Sequence, residues 1–141
     1  MSNENQAKYT KYMFESINEL VPNLSESIDK VVNLPASIGV KILSIIISYA
    51  CQSQNTAIIT IAHKEFKKIP IDWVKVHIIE AIEIGINLED DWDYRRLLEL
   101  LFESVSEFRD TLSFYINKGK LSSNPEICEA AEDFNEKLID A

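Results

Sequence analysis

The chain has 141 residues, of which 46% are hydrophobic and 26% charged, with only 3 glycines and 4 prolines, so collagen-like, disordered and disulfide-scaffold classes are excluded and a soluble globular protein is expected. Its formal charge of −9 is lopsided: residues 1–79 hold 7 acids against 8 bases, and residues 80–141 hold 16 acids against 6 bases. An anionic surface of that size repels phosphate backbones and anionic lipid, which makes nucleic acid and membrane poor partners and a basic protein a good one.

The first strong periodicity predicts a helix from Glu4 to Leu20, with Met13, Ile17 and Leu20 on one face and Pro22 as its stop. A shorter helix is expected from Leu24 to Val32. Pro35 then opens a helix through Ile38, Ile42, Ile45, Ile46 and Tyr49 that is apolar on most sides and should be central. Its apolar run from Ile42 to Ala50 is interrupted by Ser44 and Ser48 and falls far short of the ~20 residues that cross a bilayer. Asn55 or Thr56 caps the next helix, which carries Ile58, Ile59, Ile61, Ala62 and Phe66 and ends in Lys64, Lys67 and Lys68.

Ile69-Pro70-Ile71 makes a turn, after which Asp72 is expected to cap a helix bearing Trp73, Val76, Ile79, Ile82 and Ile86, with Gly85 as its stop signal. Glu89, Asp90 and Asp91 stand at the start of what reads as the longest helix. Leu97, Leu101, Val105, Phe108, Leu112 and Tyr115 form one stripe along it, and Gly119 ends it. Asn124 caps the last helix, Pro125 fits its first turn, and Ile127, Ala130, Ala131, Phe134 and Leu138 give its apolar face. No glycine- or serine-rich linker divides the chain, so the expected fold is all-α: one domain over residues 1–141, built as an irregular helical bundle or a short stack of about seven helices.

The segment Asn124-Pro125-Glu126-Ile127-Cys128-Glu129-Ala130-Ala131 resembles the opening of a HEAT-type repeat helix, with a polar cap and proline before an apolar residue and later paired alanines. The pair 55–68 and 71–87, joined at Pro70, is similar to one helical hairpin of such a solenoid. The resemblance covers well under half the chain and departs from the family at Cys128, where an arginine is common. It implies a binding scaffold rather than a catalyst.

Chemistry-bearing groups are sparse. His63 and His77 fall on different predicted helices, with no HExxH and no Cys-His spacing for zinc, and read as structural or surface residues. Cys51 and Cys128 form no CxxC, and so few cysteines in a chain of this length read as cytosolic. The polar opening from Met1 to Gln6 lacks the apolar run of a secretory signal, which again predicts a cytoplasmic protein. Counted from Asp91, the acidic run places Arg95, Arg96 and Phe102 where a calcium loop needs a ligand, a glycine and a glutamate. Gly39, Gly85 and Gly119 are isolated, so no phosphate-cradling loop exists. No catalytic, cofactor or metal residue is assigned.

The most distinctive stretch is 91–99, where aromatics and arginines crowd against acids. Glu89, Asp90, Trp92, Asp93, Tyr94 and Arg96 are the candidate partner-binding residues, because Trp, Tyr and Arg dominate binding hot spots. Internal bracing competes with that role, through Arg95 to Asp91 or Glu99 and Arg96 to Asp93. The expected function is a small acidic protein-binding module, of the inhibitor or immunity type, that occludes a basic protein. The alternative is a self-associating structural or adaptor protein in which Trp73 and Trp92 face another copy.

Overall fold

The periodic segments all fold as helix. The computed structural model describes residues 3–141, with side chains from residue 11 onward, and among the described residues there is no strand. Met1 and Ser2, at the head of the polar opening segment, lie outside the described residues. Contacts gather in two units, one ending at Ile86 and the other comprising Asn87–Ala141.

The first unit contains α1 (Asn3–Leu20), two 3-10 turns (Leu24–Glu26 and Ile28–Asn33), α2 (Ala36–Gln52), α3 (Thr56–Lys68) and α4 (Ile71–Gly85). Helix α2 is its hub, since α1, α3 and α4 all pack on it. Its apolar residues therefore serve several neighbours at once, and Val40, Ile42, Leu43, Ile46, Ile47 and Ala50 are buried. Asn55 caps α3 by accepting the Ala57 N–H at 2.9 Å. In α1, Met13 and Ile17 are buried, but Leu20 is exposed, because the helix ends there and the chain turns away through Pro22.

The expected helix at 24–32 is instead the pair of 3-10 turns. Asn23 takes a left-handed conformation (φ 65°), which asparagine tolerates better than most residues. Asn18 then clamps Ser25 from two sides: its Oδ1 accepts the Ser25 N–H at 2.9 Å and its Nδ2 donates to Ser25 Oγ at 2.8 Å. Ser27 at φ −149° breaks the run between the turns. Leu24, Ile28 and Val31 still reach the core.

Helix α4 corrects two further expectations. Pro70, not Asp72, occupies the capping position, and Asp72 lies in the first turn. Of the expected Trp73, Val76, Ile79, Ile82 and Ile86, the last two are buried and Trp73 is half-buried, but Val76 and Ile79 are not, because steps of three rotate by 300° and walk around the helix. Val74, Ile78, Ala81 and Ile82 form the buried face, while Val76 and Ile79 are exposed. Gly85 is the last residue of α4, where the stop signal was expected, but it does not take the left-handed conformation of a glycine cap. It is required for close approach: a Cβ there would stand 2.7 Å from the Ser44 carbonyl oxygen of α2.

The second unit contains α5 (Asp91–Phe102), α6 (Val105–Lys120) and α7 (Pro125–Asp140), each packed against the other two. The expected longest helix is thus two helices, parted at Glu103 and Ser104 without glycine or proline. A single helix over 91–119 would be roughly 40 Å long, and its apolar stripe would need a partner of equal length. Folding back lets the stripe bury against itself and α7. Leu97, Leu101, Phe108, Leu112 and Tyr115 are all buried, and Val105 is half-buried. Asn124 caps α7 by accepting the Glu126 N–H at 3.0 Å, with Pro125 in the first turn.

Replacing glycine by alanine inside a helix ordinarily stabilises it by up to ~1 kcal/mol. At Gly85 the sign reverses, because the α2 backbone cannot yield as a side chain would. Gly85→Ala is expected to cost about 1–3 kcal/mol in urea unfolding, and an unchanged or raised midpoint would contradict this packing.

Candidate functional site

The acids at the start of α5 first serve the backbone. Asp90 accepts the Asp93 N–H at 3.0 Å, Asp93 accepts the Asn87 N–H at 3.1 Å, and Asn87 Oδ1 accepts the Glu89 N–H at 3.0 Å. This chain of side-chain-to-backbone bonds satisfies donors that a helix start leaves open, and the carboxylates meet the positive end of the dipole. Asp93 is 7% exposed as a result, and its carboxylate is turned inward.

Tyr94 is also interior, at 2% exposure. Its hydroxyl donates to the Tyr115 carbonyl of α6 at 2.8 Å. The ring lies against Gly119, where a Cβ would fall 2.5 Å from Tyr94 Cζ and 3.1 Å from the Ala131 Cβ of α7. Gly119 stands next to the final residue of α6, as expected of a helix end, and it is also the surface on which Tyr94 rests. Burial pushes the Tyr94 phenol well above its ordinary value, and the nearby Cys128 thiol pushes it the same way. Cys128 is itself held, its Sγ donating to the Ser122 carbonyl at 3.0 Å.

Both arginines choose partners other than the expected ones. Arg95 reaches α7 and pairs with Asp133 at 3.1 Å. Arg96 pairs with Glu99 at 2.7 Å and lies 4.2 Å from the centroid of the Trp92 ring, a cation–π distance. Of the six candidate residues, Asp93 and Tyr94 are thus removed from any partner's reach. Glu89 and Asp90 are exposed, Trp92 is 37% exposed and Arg96 is half-buried, so these four remain at the surface.

Helix α7 supplies acids that were not among the candidates. Glu126, Glu129, Glu132, Glu136 and Asp140 are exposed on the face opposite Ile127, Ala130, Ala131, Phe134 and Leu138. None of the five is in an ion pair among the described residues. Their signal was in the sequence, since 126, 129, 132, 136 and 140 repeat at steps of three and four as the apolar set does. Residues 87–141 carry 14 acids against 6 bases, a net −8.

A cavity of about 160 Å³ opens in this unit between the α5 start and the first turn of α7. Leu88, Glu89, Tyr94, Tyr115, Lys118, Gly119, Ser122 and Ile127 line it, so one acid and one base border the same space. In the first unit, His63 is buried in α3, and the His77 ring lies tilted against Trp73 with centroids 4.6 Å apart. Among the described residues no group of three His, Cys, Asp or Glu side chains could hold a metal ion. Nor is any described helix long and apolar enough to cross a membrane.

Tyr94→Phe removes one buried hydrogen bond and leaves the Tyr115 carbonyl without that donor, an expected loss of about 1–2 kcal/mol at pH 7. Because the folded state holds the Tyr94 proton more tightly than the unfolded chain, its contribution is fully present below the usual phenol value of 10 and is lost as pH rises beyond it. The difference between wild type and Tyr94→Phe should accordingly shrink between pH 9 and 11 in urea melts, and a constant difference would contradict the assignment.

A scan of the chain against protein-family models matched none, and neither the curated proteins nor the solved structures gave a match.

Proposed function

We propose that the chain is a cytoplasmic, non-catalytic protein-binding module whose second unit docks a basic protein and occludes it, in the manner of an inhibitor or immunity-type protein. The single observation that supports this is the outer face of α7, where five exposed carboxylates lie unpaired opposite the helix's buried apolar stripe. Fixed like charges on one helix face raise the rate at which an oppositely charged surface arrives. They also cost stability through mutual repulsion, a cost that a cationic partner relieves. The HEAT-like pattern at 124–131 agrees with a scaffold role.

Glu129→Lys/Glu132→Lys/Glu136→Lys, with unchanged helical circular dichroism, provides the test. Immobilised wild-type chain should retain from native extract a protein of basic isoelectric point. The triple variant should bind it at least tenfold more slowly at low salt, and the difference should narrow as salt rises. Equal association rates across the salt series would end the proposal.

A second reading, self-association, is favoured by α4, which exposes Val76, Ile79 and Ile84 to solvent. Trp73 is half-buried against Gly39 and Trp92 is covered in part by Arg96, so neither indole offers a bare face. On this reading Ile79→Glu should convert a sedimenting dimer to monomer. A wild-type chain that stays monomeric at 100 micromolar would remove it.

A further inference from the structure

We infer that the cavity where α2 ends and α3 begins binds an uncharged saccharide, one or two pyranose rings in extent. It lies within the first unit and is independent of the docking role proposed above. The cavity measures about 590 Å³, inside the range of ~300–1,000 Å³ that small-molecule sites occupy, so a monosaccharide or disaccharide has room.

Charge decides the class of occupant first. None of the residues lining the cavity is charged, and residues 42–63 contain no Asp, Glu, Lys or Arg in a chain where 26% of residues are charged. A phosphate or carboxylate would find no guanidinium or ammonium there, and a metal ion no carboxylate. The helix ends add little preference of their own, because the negative end of α2 and the positive end of α3 border the same space.

Hydrogen bonding then excludes an apolar occupant. The Ser48 hydroxyl donates to Gln52 Oε1 at 2.7 Å and the Ser53 hydroxyl accepts the Asn55 N–H at 3.1 Å, so part of the lining is held by its own bonds. The Tyr49 hydroxyl and the exposed Gln54 amide, by contrast, have no hydrogen bond among the described residues. Asn55 is oriented by its capping bond, in which Oδ1 accepts the Ala57 N–H, and its Nδ2 is left shielded from solvent with no acceptor. A polar ligand pressed into this lining supplies partners to all three groups, whereas an apolar one leaves them unpaired.

Among neutral polar ligands, a peptide backbone finds no strand edge to pair with, because the walls are helices. A sugar matches what the lining offers. Each hydroxyl both donates and accepts, as the Gln54 amide and the Tyr49 phenol do, and the C–H face of a pyranose packs on an aromatic ring such as that of Tyr49.

The methyl glycosides of glucose, galactose and mannose serve as probes of the full chain by NMR, read at the Ile58 methyl groups and the Gln54 and Asn55 side-chain amides. At least one should shift all three residues in the millimolar range, and its 6-carboxylate and 6-amino derivatives should each bind at least threefold more weakly at about 150 millimolar salt. Asn55→Asp keeps the capping acceptor and removes the Nδ2 donor. With helical circular dichroism unchanged, it should weaken the glycoside at least fivefold, and Gln54→Ala should weaken it twofold to fivefold. No shift with any of the three glycosides, a charged derivative that binds as well as its parent, or indifference to both variants would overturn the saccharide site. Tetraglycine amide binding more tightly than every glycoside would overturn it too, by assigning the cavity to peptide backbone. Should Asn55→Asp fail to fold, Gln54→Ala at its exposed position decides, and indifference to it alone then overturns the site.

Discussion

The second unit depends on one buried phenol. Tyr94 leaves α5, crosses to Gly119, and donates to a carbonyl of α6 at a point where α7 also presents a methyl group, Ala131 Cβ. One residue thereby fixes the mutual approach of three helices. The arrangement works only with a residue lacking Cβ at 119, a small residue at 131 and a hydroxyl of the right reach at 94. Arg95, next in sequence, adds a bond from α5 to α7 through Asp133, but that pair is half in solvent and worth much less. Burial rather than surface charge therefore sets the geometry on which the outer carboxylates are displayed.

With that frame fixed, the acids of the unit divide by what surrounds them. Asp90 and Asp93 are committed to backbone N–H groups. Glu99 and Asp133 answer the two arginines. The remainder on α7 have water on every open side, so they shape the field without shaping the fold. These carboxylates brace no other part of the fold, which distinguishes the outer face of α7 from the crowded start of α5. Trp92 and Arg96 occupy an intermediate position, their mutual stacking restricting both before any partner arrives.

Much of the fold was legible because burial leaves a period in the sequence. Asn55, Asn124 and Pro125 marked helix starts through local hydrogen bonding, and the α7 face emerged residue for residue. What could not be read was chain direction. The stripe from Leu97 to Tyr115 keeps its helical spacing through the Glu103–Ser104 turn, because both helices of a hairpin point their apolar sides at the same core. Gly85 and Gly119 do fall at helix ends, but each also marks a neighbour's close approach, which the sequence does not show because that neighbour is distant along the chain. The candidate site was half legible. Residue type identified 89–96 as unusual, but only packing separates the inward Asp93 and Tyr94 from the outward Glu89 and Asp90, and the cavity needs Ile127 brought from more than thirty residues away.

The two tryptophans fall one to each unit, Trp73 wedged against Gly39 and His77 in the first and Trp92 lying under a guanidinium in the second. Trp73 is half-buried beside an imidazole and Trp92 is 37% exposed beneath a guanidinium, so each indole sits in surroundings set by its own unit. The chain consequently carries its own pair of optical reporters, one per unit, and whether both change together with the far-ultraviolet signal is the condition that all-or-none melting imposes.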